Sequence, residues 1–441
     1  MSKRNLLLLF LLLCPFAGAR SADDVLKLYF KSIGIQQGLS HQMVNAIVKD
    51  PQGFIWIGTA EGLNRYDGTE FHVYRHEPGN PCSLSTSWIN CLYITRDGRL
   101  FIGTEKGVNV YNAQKENFER ISAENDSRNL LGNLRIRCFC EDSKGYLWIG
   151  TLDGLIRFDR RNGLINFYKL NHYDRDKMHN EVRSLCEDSA GRLWIGTFDG
   201  LYCRETESGV FKSVPLKKAP AEGNCLISGL HIQQEDPHTL YIAATGGLRV
   251  FDTETGGERH YHTANSGIAS NDVRDVTRYD AKHVLAATSS GLSVFDIPSG
   301  GFTNFANSIT DPVSLPTQIV RCLFQDDNGL VWLGTNYGVA CCNSHRRPID
   351  VHYINDTDAE GHTTRETITD IAVLPGEIWI GTNNGLMCYS PDMRLKRHFT
   401  TKNSLLPHNN IKRILTDRSG IMWIGTNNGV VYLDKNRTTP G

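Results

Sequence analysis

One short sequence recurs nine times along this chain at a nearly constant interval. The stretch "FIWIGT" at 54–59 returns as "YLWIGT", "RLWIGT", "LVWLGT", "EIWIGT" and "IMWIGT", with three less regular copies among them. The threonine of each copy stands at 59, 104, 151, 197, 245, 288, 335, 382 and 426, so the period is 43 to 48 residues. Periods of about 40 to 50 residues are typical of β-propellers, in which each repeat forms one blade of four strands.

Each copy can supply four short β-strands. In the fourth copy, "VRSLCED" alternates apolar and polar residues, a D-x-x-G turn follows at 188–191, and "RLWIGT" forms the second strand. In the first copy, "LNRYD" and "FHVYRH" are the third and fourth strands. Such alternation, interrupted by Gly and Asp turns every 8–12 residues or so, indicates an all-β fold. We predict an all-β protein, a β-propeller of four-stranded blades with nine repeats of about 46 residues.

A tryptophan column runs through the repeats. Six of the seven tryptophans occupy one position of the copies, which Phe101, Ile242 and Leu285 fill elsewhere; these six are Trp56, Trp148, Trp194, Trp332, Trp379 and Trp423. A large flat side chain at this position would pack one sheet on the next, and the glycine two residues later leaves room for close approach. The alternative is a cofactor role, since some quinoprotein dehydrogenase propellers also carry tryptophan repeats. We favour core packing.

The blade count depends on how the ring closes. Residues 26–33, "LKLYFKSI", have the pattern of a fourth strand with no blade before it, and the ninth copy ends after its third strand. Propellers often let one terminus complete a blade that the other began, which removes an exposed sheet edge. Either a nine-bladed ring closes at the ninth copy, or a seven-bladed ring closes at the seventh. Because propellers typically have four to eight blades, we favour a seven-bladed propeller at 23–350 and the first two blades of a second, truncated propeller at 351–441.

The first residues predict export. Lys3 and Arg4 precede a short apolar stretch that ends in the A-x-A site 17–19, so 1–19 has the pattern of a signal peptide. Exported proteins often contain disulfides, but Cys91, Cys138 and Cys322 share a column that favours small buried residues, and we expect free core thiols. The sequence contains no C-x-x-C pair, so we expect no zinc site. The net charge of −1 argues against nucleic-acid binding.

The repeat resembles a known family. The string D-x-x-G-x-[IL]-W-[IL]-G-T-x-x-G-[LV], preceded by "GLSHQMVNAI" at 38–47, resembles the two-component regulator propeller repeat. The run from 34 to 78 is similar to the start of the periplasmic sensor region of Bacteroides-type hybrid two-component systems. The likeness covers 25–441.

The resemblance implies a function. It implies a periplasmic, non-enzymatic sensor module that detects an oligosaccharide and relays to a histidine kinase absent from this chain. It further implies a homodimeric full-length sensor, two seven-bladed propellers, and an inner-membrane anchor supplied by later segments. No cofactor, metal or nucleic acid is expected. Because no kinase or receiver motif is visible, the chain is expected to be part of such a sensor or the product of a broken gene.

A ligand is expected where the loops entering the first strands meet the turns between second and third strands, at the central channel. The turns place five candidate residues on this face: Glu61, Lys106, Asp153, Asp199 and Tyr337. The first strands place a basic column there, suited to carboxylate or sulfate groups: Arg137, Arg183, Arg274 and Arg321. The alternative for the arginines is a salt bridge to the next blade.

Trp88 is the tryptophan outside the core column, in a loop that enters the second blade. At a pocket rim it would stack on a sugar ring. The alternative is local packing beneath the loop 76–87. Both interpretations stay open at the level of sequence.

Two other functions fit an exported propeller. A polysaccharide lyase or glycosidase would need paired carboxylates, or a His/Tyr/Arg cluster, on the same face. Asp153 and Asp199 occupy equivalent turns of neighbouring blades, so repetition of the motif explains them without catalysis. The third function is a protein-binding scaffold. Regular repeats favour binding over catalysis, although a fold alone does not fix function.

Overall fold

The computed structural model describes residues 26–170, 180–205, 209–217, 225–233, 235–311, 313–343, 354–357 and 363–433. Within these ranges the regular elements are strands, joined by a 3₁₀ turn at Ile35–Gln37 and a short helix α1 at Leu130–Asn133. The predicted all-β class is confirmed. The predicted signal peptide and the predicted boundary at 350/351 lie outside the described residues. The chain divides into two compact units, Met1–Ser308 with Pro312–Arg346, and Ile309–Asp311 with Arg347–Gly441.

Seven antiparallel sheets of four strands, here named blades 1 to 7, form the described part of unit 1. The chain first forms β1 (Lys31–Ile33). Blade 1 then contains β2 (Val44–Lys49), β3 (Ile55–Thr59), β4 (Gly62–Tyr66) and β5 (Phe71–Tyr74). Blade 2 contains β6 (Ile89–Ile94), β7 (Leu100–Thr104), β8 (Gly107–Asn112) and β9 (Asn117–Arg120). Blade 3 contains β10 (Ile136–Glu141), β11 (Leu147–Thr151), β12 (Gly154–Asp159) and β13 (Leu164–Tyr168).

The next blades repeat this order. Blade 4 contains β14 (Val182–Glu187), β15 (Leu193–Thr197), β16 (Gly200–Arg204) and β17 (Phe211–Val214). Blade 5 contains β18 (Ile227–Ile232), β19 (Thr239–Ala244), β20 (Gly247–Asp252) and β21 (Glu258–Tyr261). Blade 6 contains β22 (Val273–Arg278), β23 (His283–Thr288), β24 (Gly291–Asp296) and β25 (Gly301–Phe305). Blade 7 contains β26 (Val320–Gln325), β27 (Leu330–Thr335), β28 (Gly338–Asn343) and, as its fourth strand, β1.

Strand β1 closes the ring of unit 1. It pairs antiparallel with β28, with Lys31 opposite Cys341 and Ile33 opposite Val339. The first strand of each blade contacts the first strand of the next, and β26 contacts β2. A Cβ added to Gly334 of blade 7 would lie 2.8 Å from Val44 Cγ1 of blade 1, so the two sheets meet as closely as their neighbours do. Unit 1 is therefore a closed seven-bladed propeller.

The described part of unit 2 contains two further sheets and a hairpin. The hairpin is β29 (Asn355–Thr357) with β30 (Thr363–Arg365). Blade 8 contains β31 (Ile368–Leu374), β32 (Glu377–Thr382), β33 (Gly385–Tyr389) and β34 (Leu395–Phe399). Blade 9 contains β35 (Ile411–Thr416), β36 (Met422–Thr426) and β37 (Gly429–Leu433). The two blades pack face to face, since a Cβ on Gly381 would lie 2.7 Å from Ile411 Cγ2.

The tryptophan column lies between the sheets. Trp56 and Trp148 are buried, and each indole Nε1 donates to the aspartate of its own D-x-x-G turn, Asp50 at 2.7 Å and Asp142 at 2.8 Å. This bond satisfies the indole N–H while its rings fill the core. The exception is Trp423 of blade 9, which is 41% exposed. The core-packing interpretation is confirmed for the other members of the column.

The cysteines of the described residues are free thiols, as the sequence predicts. Cys91, Cys138 and Cys322 are each the third residue of the first strand of their blade, opposite the glycine of the second strand. Burial raises the pKa of the Cys322 thiol to about 12, so it stays protonated and behaves as a small apolar side chain.

Candidate functional site

A β-bulge recurs at the same position of every blade, and in unit 1 it directs one side chain into the central channel. In blade 3, Ile136 lies opposite Thr151 and Cys138 lies opposite Gly150, which leaves Arg137 without a partner in the ladder. The same shift of register occurs in the first strand of the other blades. Bulges next to binding sites commonly redirect a side chain in this way. In unit 1 the bulge residues form a bulge ring: Asn45, Asn90, Arg137, Arg183, Ser228, Arg274 and Arg321.

The bulge ring lines a cavity of about 690 Å³ at one end of the channel, here named the channel mouth. Cavities of about 300–1,000 Å³ are typical of small-molecule sites. The remaining lining residues come from the loops that enter the first strands and from the turns between second and third strands. They are Trp88, Glu105, Arg135, Leu226, Thr245 and Asp272.

Two arginines on one side of the channel mouth share a single carboxylate. Glu181, the residue before β14, lies with Oε1 2.7 Å from Arg137 Nε and 3.5 Å from Arg183 Nη1. Its side chain is only 3% exposed. Burial lowers the pKa of the Arg183 guanidinium, Glu181 partly offsets this effect, and the charge of Arg137 adds to the lowering. One buried carboxylate therefore balances one of two neighbouring positive charges.

Two further arginines lie elsewhere in the ring. Arg274 is held by Asp272 of the same blade, with Nη2 2.9 Å from Oδ2. Arg321 donates to amide oxygens, at 3.0 Å to Asn45 and 3.4 Å to Asn336, and has no carboxylate within 4.0 Å among the described residues. Burial lowers the pKa of Arg321, and the positive charges of Arg274 and Arg183 lower it further.

At the rim of the channel mouth lies the aromatic side chain of Trp88, which a residue of the bulge ring holds by a hydrogen bond. Trp88 is 40% exposed, and its Nε1 donates to Asn90 Oδ1 at 3.0 Å. The amide Nδ2 of Asn90 is buried without a hydrogen-bond partner, and so is Arg321 Nε. Trp88 lines the channel mouth, and its indole is partly exposed there. A flat apolar surface and unused donors therefore lie side by side.

The bulge ring also lines a second cavity of about 300 Å³. Its wall includes the residues that follow the bulges, among them Cys91, Cys138 and Asp275. Burial raises the pKa of the Asp275 carboxyl to about 6, although it accepts backbone N–H bonds from Leu323 at 2.8 Å and Val276 at 2.9 Å. The bond from Leu323 ties blade 7 to blade 6.

The structure brings together half of the candidate residues that the sequence indicated. Those that line the channel mouth are Trp88, Arg137, Arg183, Arg274 and Arg321. The salt-bridge alternative for the arginines holds between blades for Arg137 alone, since Arg183 and Arg274 pair within their own blade and Arg321 contacts amides.

The turn residues do not line the channel mouth. In each turn the threonine of the repeat accepts the backbone N–H of the candidate residue, as Thr59 does from Glu61 at 3.2 Å and Thr104 does from Lys106 at 3.0 Å. Five of the sequence candidates are not among the residues that line the cavity: Glu61, Lys106, Asp153, Asp199 and Tyr337. Asp153 instead pairs with Lys169 at 3.3 Å. The turn positions serve the backbone of the turn rather than the channel.

Sequence reasoning missed several residues of the site. Glu105 stands one residue before Lys106 and pairs with Arg135, which occupies the position that Trp88 occupies in blade 2. Glu181 and Asp272 occupy that same lead-in position in blades 4 and 6. Comparing the residue immediately before the first strand in each copy would have indicated these charges. The polar ring members Asn45 and Asn90 needed the bulge, which a sequence does not display.

The chain carries two-component regulator propeller repeats. The family described as "Two component regulator propeller" matches six stretches: 38–61, 83–106, 129–153, 176–199, 314–337 and 405–428. The resemblance drawn from the sequence is confirmed. This chain is also 43% identical to "Histidine kinase P4" of Formosa agariphila over a stretch of 56 residues. That stretch is 13% of this chain and 4% of the kinase.

Similar solved structures cover both units. The extracellular domain of a protein described as a hybrid two-component system, BT3049 of B. thetaiotaomicron, is 19% identical with a TM-score of 0.60, over 94% of this chain and 66% of that one. The extracellular domain of BT4673 from the same organism, described as a one-component system, is 22% identical to this chain with a TM-score of 0.60. The match covers 94% of this chain and 53% of the BT4673 chain. A streptogramin B lyase is 12% identical with a TM-score of 0.54, over 72% of this chain. At these identities the likeness shows the fold.

The chain spans about half to two thirds of the similar sensor structures. Among the described residues, no helix is long and apolar enough to cross a membrane. In the same ranges, no three His, Cys, Asp or Glu side chains are grouped so that they could hold a metal ion.

Proposed function

We propose that this chain is the ligand-binding module of an extracytoplasmic two-component sensor, and that it binds an oligosaccharide at the channel mouth. The observation that carries the proposal is the cavity itself: the fold repeats one bulge, and the bulge aims seven side chains into one space. The repeats and the similar extracellular sensor domains support the signalling context.

The channel mouth has the features of a sugar site. Trp88 offers an exposed aromatic face, and polar side chains surround it. Sugars combine apolar ring faces with hydroxyl groups, and a site of this kind needs a few convergent polar groups beside a hydrophobic surface. Because the described residues at the mouth pair their carboxylates with arginines, we propose binding without turnover.

Signalling would follow from differential binding. A ligand biases an ectodomain only if it binds one of two arrangements more tightly. The bulge ring draws residues from every blade of unit 1, so a ligand that contacts opposite blades would select one ring geometry. We propose that this choice is relayed to a histidine kinase outside this chain, in a homodimeric sensor located in the periplasm.

The proposal is tested by calorimetric titration of the purified chain with a panel of neutral and acidic oligosaccharides from depolymerised polysaccharides. Trp88→Ala should weaken the binding of any saccharide that binds by about 3-fold to 10-fold, given the usual strength of aromatic contacts. Trp423→Ala is the matched control, since Trp423 is exposed to the same degree but lies in unit 2. Mass spectrometry of each saccharide after incubation should show it unchanged.

Three results would overturn the proposal. The first is that no saccharide of the panel binds. The second is equal loss of binding in Trp88→Ala and Trp423→Ala, which would place the saccharide outside the channel mouth. The third is a shortened or chemically altered saccharide, which would favour the enzyme hypothesis.

A further inference from the structure

We infer that the ligand of the channel mouth is anionic, an oligosaccharide whose carboxylate or sulfate groups are held by Arg183 and Arg321. The inference rests on the proposed function and names the ligand class for the same site. It follows from the charges at the mouth, from how the chain treats its other arginines, and from the unused donors.

The channel mouth has more positive than negative side chains. Five arginines line it: Arg135, Arg137, Arg183, Arg274 and Arg321. Three carboxylates contact them: Glu105, Glu181 and Asp272. Arginine stays charged at all ordinary pH values, so the mouth has an excess of two positive charges. The geometry assigns the excess to the Arg137–Arg183 pair, which shares Glu181, and to Arg321, which contacts amides.

Elsewhere the chain provides carboxylates for its buried arginines. Arg249 and Glu258, 1% and 3% exposed, form a direct ion pair in blade 5. Arg160 contacts both Asp97 and Glu141. Arg192 contacts Asp188 at 2.6 Å and Glu254 at 2.9 Å. Arg321, which contacts amides alone, differs in this respect from these three arginines.

The two unmatched positions face one cavity from opposite parts of the ring. Arg183 belongs to blade 4 and Arg321 to blade 7, three blades apart in a ring of seven. Each guanidinium projects from a bulge into the same space of about 690 Å³. A ligand with two acidic groups can reach both sides at once, and guanidinium groups bind carboxylate and sulfate through charge-assisted hydrogen bonds.

Unused donors mark the same place. Arg321 Nε and Asn90 Nδ2 are buried and make no hydrogen bond. A buried donor without an acceptor destabilises the free protein, and a carboxylate or sulfate group of a ligand offers acceptors alone. Trp88, bonded to Asn90, would cover the apolar face of the sugar ring that carries the acidic group.

The test compares acidic and neutral sugars that otherwise match: D-glucuronate with D-glucose, N-acetyl-D-glucosamine 6-sulfate with N-acetyl-D-glucosamine, and inorganic sulfate alone. Binding to the full chain is followed by calorimetry and by the shift of the melting temperature at low ionic strength. The acidic member of at least one pair should bind and its neutral partner should not. The better pair identifies carboxylate or sulfate as the recognised group.

Arg183→Gln and Arg321→Gln should each weaken acidic binding about 10-fold to 100-fold, the usual loss for a charge-assisted hydrogen bond. Lys412→Gln removes a positive charge from the same bulge position in unit 2 and should change nothing. In the absence of ligand, both arginine variants should melt no lower than the wild type, because Arg183 shares its carboxylate, Glu181, with Arg137, and Arg321 has no carboxylate within 4.0 Å among the described residues. Equal stability also shows that the variants are folded.

The inference fails if acidic and neutral sugars bind alike, or if both arginine variants keep full affinity. It also fails, with the proposed function intact, if a neutral oligosaccharide binds in a manner that depends on Trp88 but not on Arg183 or Arg321. If inorganic sulfate binds through these arginines and no saccharide binds more tightly, the anion site stands and the proposed sugar-sensing function falls.

Discussion

Strand β1 is expected to hold the seven-bladed ring closed, and Phe30, the residue before it, tests this role. The ring of Phe30 is 2% exposed and meets Phe305 of blade 6, with centroids 6.0 Å apart. Its backbone N–H donates to Val313 O at 2.8 Å. Phe30 therefore joins the segment that completes blade 7 to the core that blades 6 and 7 share.

Phe30→Ala should lower the stability of unit 1 by about 3–5 kcal/mol, the usual result when a buried phenylalanine is truncated. Unfolding entropy is about 2.1 cal/mol/K per residue. For roughly 300 ordered residues this gives about 0.6 kcal/mol/K, so the melting temperature should fall by about 5–8 °C. Differential scanning calorimetry measures the shift directly.

Lys31→Ala is the matched control, because Lys31 is the next residue of the same segment and its side chain is exposed. It should melt within about 1 °C of the wild type, as surface substitutions usually do. If Phe30→Ala melts as Lys31→Ala does, the segment does not support the ring, and the closure described above has no energetic role.

Three further predictions concern packing and charge. A Cβ on Gly334 would lie 2.4 Å from Cys322 Sγ, whereas one on Gly425 meets nothing closer than 3.9 Å, so urea unfolding should show Gly334→Ala destabilised by about 1–3 kcal/mol and Gly425→Ala nearly unchanged. Glu258→Gln should cost about 3–5 kcal/mol in the same assay, because it leaves the Arg249 charge buried without its carboxylate, and a loss below about 1 kcal/mol would contradict this. The pKa of Asp275 is raised to about 6, above its ordinary value of 3.8, so the folded state binds more protons between these values. The stabilisation from Asp275 is complete below about pH 4 and lost as pH rises through 6; the stability of Asp275→Asn relative to wild type should therefore increase from pH 4.5 to pH 7, and a flat difference would refute the assignment.

Much of the fold follows from the sequence because packing leaves a periodic record. The tryptophan column predicts the interface between sheets, and Trp56 and Trp148 occupy it. The pattern of 26–33 predicts a fourth strand that has no blade before it in the sequence. In the structure, β1 from this segment pairs with β28 and completes blade 7. These features depend on apolar burial at fixed spacing, which is the property that a sequence displays most directly.

The site was only half predictable because it depends on backbone detail. The arginine column was visible, but the register shift that turns Arg137 out of the ladder was not. The turn residues seemed equivalent candidates, yet the Thr59 hydroxyl holds the turn of Glu61 by its backbone, and the side chain stays outside the cavity. A difference of one residue along the turn separates Lys106 from Glu105, which does line the mouth.

The positions of the bulge ring are less restricted by the fold than those of the tryptophan column. The core requires a large apolar side chain at the tryptophan column, so variation there is limited to Phe101, Ile242 and Leu285. The bulge residues line the channel mouth, and the fold accepts asparagine, serine and arginine at this position without a change of register. Because the backbone is the same in every blade, the fold does not account for four arginines among seven positions. The uneven charge of the ring is therefore the feature of unit 1 that the repeat does not explain, and ligand recognition is the explanation that the unmatched arginines favour.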